Sequence, residues 1–208
     1  MLSKLSIKQK LILIMMIPLT VVILLAAKLA VDSFSTTRNL QSLDNVVILS
    51  TKIGALVHET QKERGMTSGF LGSKGEQFKS ELPSQRNSVD DKLSDFRDFL
   101  KSFDKTDYSA ELVENLDSGV KNLDELSSIR NGESNLSINA TVAIGYYTEV
   151  NRVLLNVLGS IIKQSNSAQV TRELSSYMSF LLSKERAGLE RAIGTNTFAR
   201  NNFAEGMK

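Results

Sequence analysis

The sequence predicts an all-α chain: an N-terminal transmembrane helix followed by an antiparallel helical bundle. Three observations predict it. Residues 1–28 carry no acidic side chain and contain an uncharged run of seventeen residues, Leu11 to Ala27. Beyond that run, apolar residues recur at spacings of three, four and seven, the period of a helix with one buried face. Only two prolines occur in 208 residues, and no strand-like alternation appears.

Lys28 can snorkel, which extends the apolar stretch to Val31 and brings it to the roughly 20 residues that span a bilayer. Pro18 is tolerable inside a membrane helix. Lys4, Lys8 and Lys10 precede the run, and this basic bias places residues 1–10 in the cytoplasm, 11–31 in the inner membrane and 32–208 outside it, in the periplasm. A cleaved signal peptide is the competing reading. It would set Lys28 at the −3 position of a cut after Ala30, where a small residue is needed.

Residues 34–71 read as one long helix carrying Leu40, Leu43, Val47, Ile53, Val57 and Leu71 on or near one stripe. A second stripe runs from Phe78 to Phe103, with Pro83 marking its true start because proline suits a first turn. Asp104 to Asp107 is a connector, and Leu112 to Ile129 form a third helix. Arg130 to Ser137, with Asn131-Gly132 inside it, reads as a loop. A fourth helix covers Ile138 to Lys163, Gln164 to Ser167 break it, and a fifth carries Val170, Leu174, Tyr177, Leu181, Leu189 and Ile193. Short polar connectors between long helices argue for an up-down bundle. Because the chain stops at Lys208 without a second span or an output module, the domain at 32–208 is expected to be C-terminally incomplete. The sequons at Asn135 and Asn139 are read as chance matches.

Composition excludes several functions. The absence of cysteine removes disulfides and thiolate metal sites. His58 is the only histidine, and no phosphate loop or paired-carboxylate motif is present, so neither an enzyme nor a cofactor is expected. The net charge of +2 is concentrated at the N-terminus. Removing Lys4, Lys8, Lys10 and Lys28 leaves 21 basic against 23 acidic residues, a poor balance for nucleic acid, which is not expected as a partner.

The most informative feature is a near-repeat. Lys62-Glu63-Arg64-Gly65 precedes Phe70-Leu71-Gly72, and at an offset of 122 Lys184-Glu185-Arg186-Ala187 precedes Ala192-Ile193-Gly194. Arg64 shares its helix face with Val57, Thr60, Thr67 and Leu71, so it is no free surface charge. Around Arg191 the same face brings Lys184, Ala187 and Gly194, with Gly188 close by. Such small residues let a neighbouring helix or a small ligand approach a guanidinium. Both arginines need an anion if buried. Glu63, Glu185 and Glu190 are available for that role, and so is a bound ligand; periodicity alone leaves the choice open. Arg186 is assigned to Glu190 as an i,i+4 pair, since it lies about 140° from Arg191 around the helix. An arginine fork matches a planar oxyanion by donating parallel hydrogen bonds to two oxygens.

The segment His58 to Gly72 resembles the first motif of the NIT (nitrate- and nitrite-sensing) domain. Lys184 to Ala192, with Thr197-Phe198-Ala199-Arg200 after it, resembles the second. The resemblance covers about residues 34–208. It implies stacked helical bundles in which arginines from separate helices clamp nitrate or nitrite. Arg64 matches the arginine of the family's Glu-Arg-Gly signature and Arg191 that of its Glu-Arg-Ala signature, with Arg186 a third ligand candidate; a further family arginine has no convincing counterpart before Lys208. The lysine-rich entry also looks like the first membrane helix of a methyl-accepting chemotaxis receptor. The expectation is a membrane-anchored periplasmic sensor, a homodimer, which passes a helix displacement from the Arg64 and Arg191 site through the bilayer to a downstream signalling module outside this chain. The alternatives are a bundle sensing another small ligand or a partner protein, and a ligand-free membrane-tethered scaffold. A sensor would keep Arg64 and Arg191 in the bundle interior, whereas a scaffold would expose them.

Overall fold

The computed structural model describes residues 6–165 and 167–203. Among the described residues it contains six α-helices and no strand: α1 (Ile7–Gly72), α2 (Leu82–Ser102), α3 (Ala110–Asp124), α4 (Leu126–Ser134), α5 (Ala140–Gln164) and α6 (Ala168–Arg200). The chain divides into two compact units, Met1–Asn45 and Val46–Lys208.

In the first unit, the described apolar side chains of Leu11, Met15, Val22, Leu25 and Val31 are exposed. The membrane span expected at 11–31 is corrected here. Among the described residues no helix is long and apolar enough to cross a membrane. The uncharged run between Lys10 and Lys28 is seventeen residues, and it reaches the roughly 20 of a bilayer core only if Lys28 snorkels. Of the segment assigned to the cytoplasm, residues 1–5, Lys4 among them, lie outside the described residues.

The second unit is a helical bundle with α5 at its centre. Tyr147, Val150, Leu154, Leu155, Val157, Leu158 and Ile161 of α5 are all buried, and they recur at three- and four-residue spacing, so more than one face of the helix is covered. Leu49, Ile53, Leu56 and Val57 of α1, Val89, Leu93 and Phe96 of α2, and Leu112, Leu116 and Leu123 of α3 complete one core. From α6, Leu181 is buried in it, and Leu174 and Met178 pack against it partly buried. The side chains of Leu40 and Leu43, expected on the α1 stripe, lie outside the described residues.

Local chemistry sets the helix ends. Pro83 stands in the first turn of α2, where its missing N–H costs nothing. The Ser109, Asn139 and Ser167 side chains accept from the backbone N–H three residues on and cap α3, α5 and α6. The expected connector at 104–107 is a short 3-10 turn capped by Asp104.

Two readings change. The single helix expected over 112–129 is two, because the chain tightens at Glu125, whose N–H reaches the carbonyls of Asn122 and Leu123. Arg130 to Ser134 are helical within α4 rather than loop. Gly132 supplies close approach instead of a turn, since a Cβ there would meet Ile138 Cγ2 at 2.9 Å. The turn itself falls at Leu136, at φ 54°.

Candidate functional site

Glu63 and Arg64 are neighbours on α1, about 100° apart around the helix, and each faces a different set of helices. Both side chains are wholly buried, at 0% exposure. An ionised side chain survives there only with partners.

Glu63 is bound on both oxygens by Arg130 of α4, through Nε at 2.7 Å and Nη2 at 2.8 Å. Tyr147 of α5 donates its hydroxyl to the same carboxylate at 2.9 Å, and Arg86 Nε of α2 lies 3.5 Å away. Arg130 extends to Asp90 at 2.6 Å, while Arg86 pairs with buried Glu133 at 2.7 Å. Burial opposes the charge on Arg130, but the Glu63 and Asp90 carboxylates more than offset it and hold its pKa above the ordinary arginine value. Burial raises the pKa of Glu133, against the pull of Arg86. This network joins α1, α2, α4 and α5 and leaves Glu63 saturated.

Arg64 turns toward α5 and α6. Its Nη1 donates to Thr148 Oγ1 at 2.9 Å and to Glu185 Oε1. The Thr148 proton is spent on the Ile144 carbonyl, so a hydroxyl lone pair faces the guanidinium. Glu185 Oε2 accepts from Gln61 Nε2 at 2.7 Å and Asn151 Nδ2 at 3.2 Å, and Thr60 donates to Asn151 Oδ1 at 2.6 Å. Arg64 Nε and Nη2 have no hydrogen-bond partner in the protein. They form one edge of the guanidinium fork, the edge that binds a planar oxyanion with two parallel hydrogen bonds. Gly188 of α6 borders that edge: a Cβ there would stand 3.0 Å from Nη2. About one helical turn further on, Ser68 donates to the Ala192 carbonyl at 2.5 Å and Asn196 donates to the Ser68 carbonyl at 3.0 Å, which fixes α1 against α6 beside the site.

The sequence candidates separate. Arg64 is interior, as expected. Arg191 is exposed, against the expectation that both arginines would be interior. It shares no hydrogen bond or ion pair with the Arg64 cluster among the described residues. It stands one turn beyond Gly188 on α6 and near enough to Lys184 to depress that ammonium's pKa, behind burial as the larger cause. Arg186 is exposed too, and its expected pair with Glu190 does not form among the described ion pairs. In the sequence Glu185 is only one of three available carboxylates, with Glu63 and Glu190. Thr148 and Asn151 reach the site from α5 through tertiary packing and carry no sequence signal. Gln61 stands three residues before Arg64 within the same motif, and its contact with Glu185 depends on where α6 packs.

His58 Nδ1 lies 2.6 Å from Lys184 Nζ, bridging α1 and α6 at the rim. Burial, then Lys184, lowers the His58 pKa below 6.5, with Glu59 opposing and Lys62 assisting. A group depressed on folding contributes stability that is present above its unfolded pKa and is lost as pH falls through the folded one. Thermal melts are therefore expected to drop as pH is lowered below 6.5, and His58→Gln to flatten that slope. An unchanged slope in the variant would show that His58 takes no part.

Residues 55–208 match the family described as nitrate and nitrite sensing. The nitrate regulatory protein of Klebsiella oxytoca is 31% identical over 183 residues, 86% of this chain and 46% of that protein. The solved NasR transcription antiterminator superposes with a TM-score of 0.75 at 30% identity, over 86% of this chain and 50% of that one. The chain thus spans about half the length of the relatives it matches. These relatives are regulators, and neither name places them in a membrane or in chemotaxis. Together with the missing membrane-crossing helix among the described residues, they overturn the inner-membrane location with a periplasmic sensor, and the chemotaxis-receptor context goes unsupported. The expectation that nucleic acid is no partner finds no support either, since one relative is an antiterminator of transcription. The family is one of sensing, not of catalysis. This all-helical chain belongs to the NIT family of nitrate- and nitrite-sensing domains.

Proposed function

We propose that this chain is the anion-sensing part of a regulatory protein and binds nitrate or nitrite at Arg64, with residues 32–208 as the sensor domain. The observation that supports this best is a wholly buried guanidinium whose Nε and Nη2 have no protein partner. Leaving buried donors of a charged group unpaired costs several kcal/mol. A planar monoanion seated on that edge recovers those hydrogen bonds. Arg64 carries the grip; Arg191, exposed on α6 next to Gly188's turn, adds attraction at the rim, and Arg186 adds less. Because α1, α5 and α6 all meet at this guanidinium, a ligand there has differential contact with their arrangement, which is the requirement for shifting it. By likeness to the relatives, that shift controls a regulatory output.

Nitrate is expected to raise the melting temperature of the protein in a concentration-dependent way, because a ligand held only by the folded state stabilises it. Chloride at equal ionic strength is expected to do much less, as it lacks two oxygens for the fork. Equal shifts from both salts would mean screening and not a site.

The alternative of a ligand-free scaffold has the exposure of Arg191 and Arg186 in its favour. It gives no role to the unpaired edge of Arg64.

A further inference from the structure

We infer that Glu185 is a charge filter for the Arg64 site, one that favours singly charged anions and excludes dianions such as sulfate. The inference rests on Arg64 as the anion site and adds what selects among anions there.

The geometry places a fixed negative charge beside the unpartnered edge of the fork. Glu185 Oε1 takes Arg64 Nη1, while its Oε2 is held by Gln61 of α1 and Asn151 of α5. With three donors on two oxygens, this carboxylate is anchored from two other helices and is not a loose counterion that swings away. Arg64 and Glu185 together sum to zero charge. A monoanion on Nε and Nη2 therefore leaves the buried cluster at −1, and a dianion leaves it at −2. Repulsion from Glu185 grows in proportion to ligand charge, and it is stronger here than in water because the effective dielectric is lower. The desolvation penalty rises more steeply still with charge. Thr148 offers no relief, since its proton is committed to Ile144. Glu185 thus weakens every anion, and a doubly charged one about twice as much in free energy.

Glutamine at this position removes the charge and keeps the shape. Its amide oxygen can still accept from Arg64, and Gln61 and Asn151 can each turn an oxygen toward its NH2 group. Aspartate keeps the charge.

The test is titration calorimetry of the full chain with sodium nitrate and with sodium sulfate at matched ionic strength, on wild type, Glu185→Gln and Glu185→Asp, with circular dichroism melts as the folding control. Wild type is expected to bind nitrate at least about tenfold more tightly than sulfate. Glu185→Gln is expected to tighten both anions and to improve sulfate by about tenfold more than nitrate. Glu185→Asp should keep the wild-type ratio. Sulfate bound by wild type as tightly as nitrate would overturn the filter, and that readout needs no variant to fold. A folded Glu185→Gln with an unchanged ratio, or a folded Glu185→Asp that loses it, would do the same while leaving the nitrate site standing. Wild type that binds neither anion would remove the site itself, and the filter with it.

Discussion

Replacing Arg130 by leucine is expected to lower the stability of the bundle by about 3 kcal/mol, the lower end of the range for breaking a buried ion pair by removing one partner. Glu63 is wholly buried, and Arg130 contacts both of its oxygens. Without Arg130, the carboxylate keeps the Tyr147 hydroxyl and an Arg86 Nε at 3.5 Å, which holds the loss below the upper end. For a domain of this size the shift corresponds to roughly 6–12 °C in melting temperature. Adding Glu63→Leu to Arg130→Leu is expected to restore part of the loss, because the stranded charge is then gone. Chemical denaturation of the two single variants and the double variant measures the coupling. Additive losses would show that Glu63 and Arg130 do not act as a pair.

Lysine at position 64 is expected to weaken nitrate binding by roughly 1.5–3 kcal/mol, the scale of a charged hydrogen bond. The ammonium keeps the charge and can still meet Glu185, but it has no second parallel donor for a planar anion. Helicity should survive. Arg191→Lys is expected to cost clearly less, and Arg186→Lys least, because both side chains are exposed and solvent screens whatever they contribute. Titration calorimetry of the three variants gives the ranking. Wild-type affinity in Arg64→Lys would end the assignment of the site. A loss in Arg191→Lys as large as that in Arg64→Lys would instead mean that the ligand draws Arg191 inward.

The helical content and most helix boundaries were legible in the sequence because both follow from local rules. Apolar spacing selects a buried face, Pro83 suits a first turn, and Ser or Asn side chains satisfy free N–H groups. The motif around Arg64 marked that residue as interior for the same reason: it stands between Thr60 and Thr67, among Val57 and Leu71, on a stripe that has to be buried. Local rules misread Asn131-Gly132 as part of a loop. That glycine is small because Ile138 packs against it, a requirement set by a contact and not by backbone conformation.

What fills the space around Arg64 was decided by tertiary structure alone. Thr148, Asn151 and Glu185 lie 84 or more residues further along the chain, and no period within α1 encodes them. The sequence treated Arg64 and Arg191 alike because each stands in a Glu-Arg motif beside small residues. Packing separated them. The α6 face that meets α1 carries Leu181, Glu185, Gly188, Ala192 and Asn196, and Arg191 falls off that face into solvent. The chemistry of an arginine was available from the sequence; whether it meets water, a carboxylate or an open edge depends on which neighbouring helix reaches it.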